Sequence, residues 1–95
     1  MRIEIYTHDN CGACKANKPL HTLLAKTYPT EIIDPTTDEG AERANAVEVR
    51  ACPAIVIFGA NNEIKHVIIG YTRPDPVLAA IGEVVAEEEL DIPNF

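Results

Sequence analysis

The first apolar positions, Ile3 and Ile5 in RIEIY (residues 2–6), alternate with polar ones, and that two-residue period predicts a strand. From about Cys11 to Thr27 the period lengthens. Leu20, Leu23, Leu24 and Tyr28 fall on one face of a predicted helix, and Pro19, which has no N–H to donate, is expected to kink it. TEIID (30–34) reads as a short strand. TTDEGAERANAV then opens with Thr36 and Glu39 at capping-box spacing, which predicts a helix to about Ala46. AIVIF (54–58) is continuously apolar and rich in β-branched residues, as suits a central strand covered on both faces. GANN signals a turn, and EIKHVII (63–69) is the expected hairpin partner. Pro74 suits the first turn of a last helix, with Asp75 complementing its dipole and Val77, Ala80, Ile81, Val84 and Val85 as its apolar face. The closing AEEELDIPNF sets three glutamates against the negative end of that dipole. The helix is therefore expected to end near Ala86, leaving 87–95 as a solvated acidic tail.

The order is β-α-β-α-β-β-α. A right-handed crossover followed by a hairpin and a closing helix gives an α/β fold, a four-stranded mixed sheet with helices on both faces. The 95 residues suit a single domain, and no repeat or linker interrupts them. With 46% hydrophobic and 24% charged residues the composition is that of a globular protein.

Charge narrows the function classes. The net charge is -7 and the eight Lys and Arg residues form no cluster, which argues against a nucleic-acid surface and against binding to anionic membranes. No apolar run approaches the roughly 20 residues of a membrane span. The opening MRIEIYTHDN carries neither a basic leader nor an apolar core, so the expected location is the cytoplasm, where thiols are kept reduced.

The candidate chemistry lies in YTHDNCGACKANKPL (6–20). Cys11 and Cys14 are three apart, between a predicted strand and a predicted helix. Such a pair can be a metal clip, a structural disulfide or a redox couple. Three cysteines make a poor disulfide framework, and a closed zinc site usually draws four ligands from a second close pair that this chain lacks. Redox exchange is the leading reading. At a helix start, Cys11 meets unpaired N–H groups and the positive end of the dipole, and both favour the nucleophilic thiolate. Cys14, just under a turn further on and deeper, is expected to resolve the mixed disulfide that Cys11 forms. Gly12 and Ala13 are small and let a substrate disulfide approach.

Other candidates carry two readings each. His8 can favour the thiolate as imidazolium or accept a proton as imidazole, or it is simply an exposed loop histidine. His21 and His66 read as surface residues, and Leu20, Leu23, Val77 and Ile81 as core. Tyr71 and Arg73 either contact substrate or pack the entry to the last helix.

These motifs together resemble the thioredoxin superfamily, in particular its short branch of glutaredoxins and the glutaredoxin-like redoxins that supply electrons to ribonucleotide reductase. The similarity runs to about residue 86. IYTHDNCGACKANK resembles the strand-loop-helix of those redoxins, VRACPAIVI their loop into a cis-proline, and GYTRPDPV the segment that starts their last helix. Pro19 stands where thioredoxin carries its helix-kinking proline. The resemblance implies a nucleophilic Cys11, a resolving Cys14, a cis Pro53 that presents an edge to substrate backbone, and a Gly70 that leaves room for that backbone or for glutathione. It implies no cofactor beyond the redox-active Cys11–Cys14 disulfide, a protein disulfide as substrate with ribonucleotide reductase as a candidate, and a monomer. It also places Cys52 beside the C-x-x-C. There Cys52 is a small buried filler, an alternative disulfide partner for Cys11, or a ligand with the other two for a soft metal or iron–sulfur cluster. The dipeptide in CGAC, His8-Asp9 in place of a basic residue and proline, ACP and the single glycine depart from the glutathione binders. These departures favour a thioredoxin reductase over glutathione as the reductant. A metal or iron–sulfur module and a non-catalytic redox sensor are the alternative functions on the same fold.

Overall fold

The computed structural model describes residues 1–90. Four strands, β1 (Arg2–Tyr6), β2 (Thr30–Ile33), β3 (Ala54–Phe58) and β4 (Ile64–Ile69), form one mixed sheet in the order β2-β1-β3-β4. β2 runs parallel to β1, and β3 is antiparallel to both β1 and β4. The helices are α1 (Gly12–Ala16), α2 (Lys18–Thr27), α3 (Asp38–Ala46) and α4 (Pro74–Leu90).

Each sheet face carries its own core. Ile3, Ile5, Ile55 and Ile57 point to one face and pack with Leu20, Leu24, Val77, Ile81 and Val84 of α2 and α4. Tyr6, Ala54, Val56 and Phe58 point to the other, with Ile33, Val49 and Ala44 of α3. Every residue of β3 is therefore buried, as its unbroken apolar run implies.

β1 is buried on both faces as well, although its sequence alternates. Glu4 is only 4% exposed. It is held by Arg2 at 2.6 Å, the Tyr6 hydroxyl at 2.6 Å and Arg43 at 3.0 Å, and Arg43 also grips Glu31. Burial alone would raise the Glu4 pKa, but these donors outweigh it and hold the carboxyl below its usual range.

Four local expectations change. The first helical stretch is not one helix kinked at Pro19 but two, divided at Asn17, and Pro19 lies in the first turn of α2, where no intrahelical N–H is needed. Leu23 is 46% exposed, whereas His21 is 4% exposed and takes the inward position. The N-cap of α3 is Thr37, whose hydroxyl accepts from Gly40 N–H, because Thr36 is engaged with the Asp34 carboxylate. Finally, α4 passes Ala86 and reaches Leu90. Lys65 lies 3.0 Å from Glu87 and the Met1 amino group 2.6 Å from Glu88, so cationic partners offset the clash of acid with dipole. The rest of the expected tail lies outside the described residues.

Candidate functional site

The strand register determines what meets at the site. Tyr6, the last residue of β1, lies opposite Ala54, the first of β3, which lies opposite Ile69, the last of β4. The loops that follow β1, precede β3 and follow β4 therefore leave the same end of the sheet together. They carry Cys11 and Cys14, then Cys52 and Pro53, then Gly70 to Arg73.

Cys11 is the N-cap of α1. Its backbone is extended (φ -128, ψ 114), and its sulfur accepts the Cys14 N–H at 3.1 Å. Cys11 is half-buried, while Cys14, one turn in, is 3% exposed. Across the gap the Cys52–Pro53 peptide bond is cis, and the Cys11 thiol faces the Cys52 carbonyl oxygen at 3.8 Å. The Pro53 carbonyl accepts from Gly70 N–H at 2.7 Å, which ties the second segment to the third. Gly70 has φ +88, and a Cβ there would meet nothing within 4 Å, so its backbone shape and not crowding within the chain calls for glycine.

The buried Asn17, at the break between α1 and α2, holds the third segment. Its amide donates to the Thr72 carbonyl at 2.8 Å and accepts the Thr72 N–H at 3.0 Å, satisfying both backbone groups of one loop residue. Tyr71, 62% exposed, and the exposed Arg73 flank that anchor.

The two thiols titrate as a pair. The Cys14 thiol lies below its usual range: burial opposes this, but hydrogen bonds from the Cys11 thiol, the Thr7 hydroxyl and the His8 backbone N–H outweigh it. Cys11 is pushed up, chiefly because its thiol proton is engaged by Cys14, and the amides at the start of α1 pull the other way without prevailing. The expected cause, backbone N–H groups aimed at Cys11, is therefore present, but the expected outcome is not. Of the two, Cys14 is therefore the one that ionises more easily and Cys11 the one that holds its proton. Burial first, then the two neighbouring sulfurs and Asp34, push the Cys52 thiol up to about 11, so it stays protonated at neutral pH. His8 reaches the pair through its backbone N–H. Among the described residues no three His, Cys, Asp or Glu side chains converge as a metal site.

Two cavities flank the pair. One of about 740 Å³ lies between the β1–α1 loop, α1, α2 and the end of β2, and is lined by Cys14 and His21 among others. The other, about 410 Å³, separates α3 from the Cys52 loop. Thr7, Asn17, His21 and Thr72 are the site residues that the sequence pattern did not single out. Asn17 and His21 do carry a signal, since both share the Leu20–Leu24 face of the helix.

A half-exposed thiol over a buried one, beside a cis-proline, is matched at the level of the whole chain. The thioredoxin family model matches residues 3–81. The chain belongs to the thioredoxin family. Thioredoxin 1 of Thermosipho africanus superposes with a TM-score of 0.78 at 22% identity, covering 94% of this chain and 99% of that one, a likeness of fold. A point mutant of thioredoxin from Halobacterium salinarum gives 0.75 at 27% identity over 87% of this chain and 73% of that one. Mitochondrial thioredoxin 3 of Saccharomyces cerevisiae gives 0.66 at 26% identity, over 86% and 76%. No curated protein sequence matches significantly. This thioredoxin-family chain thus holds its Cys11–Cys14 pair on a thiol–disulfide oxidoreductase fold. Among its described residues no helix is long and apolar enough to cross a membrane.

Proposed function

We propose that the chain is a dithiol electron carrier that reduces disulfides in proteins. The observation that carries this reading is the asymmetry of the pair, with Cys11 accessible and Cys14 buried behind it. Charge rests readily on Cys14, but only Cys11 can be approached. A proton passes from the Cys11 thiol to the Cys14 sulfur, and the Cys11 thiolate attacks the substrate disulfide. One substrate sulfur leaves as a thiolate and takes a proton from water. Cys14 then attacks the Cys11 sulfur and releases the second substrate thiol, so the substrate gains two electrons and the chain ends as the Cys11–Cys14 disulfide. Pro53, Gly70, Tyr71 and Arg73 line the approach to Cys11, where substrate backbone would lie, and Cys52 stands beside them as a neutral thiol.

The finer assignment follows the motifs. The chain acts in the cytoplasm as a monomer with no bound organic cofactor, in the manner of the short glutaredoxin-like redoxins, with ribonucleotide reductase as the candidate electron acceptor. The departures in CGAC, His8-Asp9 and ACP support a thioredoxin reductase as the source of electrons in preference to glutathione. Cys11→Ser is expected to abolish reduction of insulin disulfides, and full activity in that variant would overturn the assignment. Re-reduction of the oxidised chain by NADPH and thioredoxin reductase, compared with glutathione, decides the electron source.

A further inference from the structure

Strand β4 ends the sheet, and among the described residues no strand pairs with its outer edge. Its two faces differ. Toward α4, Ile68 packs against the core, His66 lies 3.3 Å from Glu83 and Lys65 lies 3.0 Å from Glu87. Toward α3, Ile64, Val67 and Ile69 stand opposite Phe58, Val56 and Ala54 and share their face. Strict alternation would send Ile64 to the α4 side, and the register shift between Ile57 and Phe58 brings it back to the α3 side. The three partners on β3 are buried, yet Ile64, Val67 and Ile69 are 45%, 43% and 52% exposed. A row of bare apolar side chains on a free edge is a template for another strand, and Val67–Ile69 carries neither charge nor proline to blunt it.

The row leads to the cysteines. Ile69 pairs with Ala54, Ala54 pairs with Tyr6, and the Gly70 N–H bonds to the Pro53 carbonyl at 2.7 Å. A strand added outside β4 would lie three strand spacings from β1, about 14 Å, which an extended chain covers in about four residues. Charge marks the same end. Arg2, Arg43 and Lys65 each lie against a glutamate. The exposed Arg50, just before the Cys52 loop, and Arg73, just after Tyr71, pair with no carboxylate among the described residues.

We propose that β4 is a docking edge for the protein whose disulfide Cys11 attacks, an inference that rests on the dithiol reading above. A segment of that partner, about four residues from its reacting cysteine, joins the sheet as a fifth strand. Its backbone pairs with the outer N–H and C=O groups of β4. Apolar side chains at its alternate positions cover Ile64, Val67 and Ile69, and a carboxylate beside its cysteine meets Arg50 and Arg73. A second copy of the chain fits this edge less well. Each copy carries a net charge of -7, and pairing β4 with β4 brings no disulfide to Cys11. The edge thus selects which protein disulfides are reduced, and the exchange at Cys11 runs as described above.

The probes are peptides of about twenty residues with a central cysteine joined to thionitrobenzoate. One set alternates valine with threonine, and the other has serine for valine. Each set carries either glutamate or lysine beside the cysteine. The reduced full chain is mixed with each peptide below saturation, and release of thionitrobenzoate is timed. Every rate is divided by that for the mixed disulfide of mercaptoethanol and thionitrobenzoate, which reaches Cys11 but not β4. The valine peptides are expected to react about tenfold faster than the serine peptides on this scale, the worth of two or three cross-strand apolar pairs. Val67→Lys and Ile69→Lys, both at exposed positions, should each remove most of that advantage, and Arg50→Glu should abolish the preference for glutamate over lysine. Equal relative rates for valine and serine peptides, or an advantage that survives both lysine variants, overturns the proposal. So does a dimer in sedimentation that Val67→Lys dissolves, since a second copy then covers the edge. If the unaltered chain fails to react even with the small disulfide, the dithiol reading itself fails.

Discussion

Replacing Asn17 by alanine probes how the substrate-facing loop is held. The Asn17 amide makes both its hydrogen bonds, at 2.8 and 3.0 Å, to the backbone of Thr72. Alanine would strand a donor and an acceptor beside a side chain that is 3% exposed. A buried group left without its partner costs about 1–3 kcal/mol. Thr72 is half-buried, and water can partly replace the lost contacts, so the lower end applies to each and the sum is about 2–3 kcal/mol. In a domain of this size each kcal/mol moves the midpoint of thermal unfolding by about 4–8 °C, so a drop of roughly 10–20 °C is expected. Scanning calorimetry gives the midpoint, and amide hydrogen exchange reads the Thr72 N–H directly. That amide should exchange far faster in Asn17→Ala, and the loop bearing Tyr71 should loosen with it. A loss below about 0.5 kcal/mol with Thr72 exchange unaltered would refute the anchoring role.

Two further outcomes follow from the same reasoning. The folded state holds Glu4 below the ordinary carboxyl range, so its contribution to stability is complete above the unfolded-state value near 4.5 and is lost as pH falls through the folded value. Glu4→Gln should therefore cost roughly 2–4 kcal/mol at neutral pH and flatten the acid limb of a urea-denaturation series, and an acid limb that kept its slope would count against this. Gly70→Ala should cost roughly 1–2 kcal/mol in the same assay, because φ +88 strains any side chain even where its Cβ has space, and a neutral result would show that the loop relaxes freely.

Much of the fold was readable because apolar runs report burial directly. AIVIF could only be a central strand, and the order of the elements followed from turn residues and periods. The errors inside the core involve polar groups in apolar places. Glu4 is buried through Arg43, 39 residues away, and Asn17 through Thr72, 55 residues away. No local pattern shows such partners, so polarity alone placed His21 outside and Leu23 inside. The break between α1 and α2 escaped notice because Pro19 is a helix breaker by its chemistry, whereas Asn17 breaks the helix only in company with Thr72. At the site, the cysteine spacing marked one of the three converging segments, and the resemblance carried by the Cys-Pro dipeptide and GYTRPDPV marked the other two. The proton balance between the sulfurs was not readable. It depends on the Thr7 hydroxyl, the His8 N–H and the depth of Cys14, which only the folded chain brings together.

The division of labour between an accessible and a buried sulfur is tested most directly by trapping the mixed disulfide. Reduced Cys14→Ser is incubated with a disulfide-bearing protein, and the adduct is digested and mapped by mass spectrometry. The account predicts one stable intermolecular disulfide, at Cys11, and no stable adduct when Cys11→Ser is treated in the same way. A bond found equally at Cys52, or an adduct that survives in Cys11→Ser through Cys14, would contradict it.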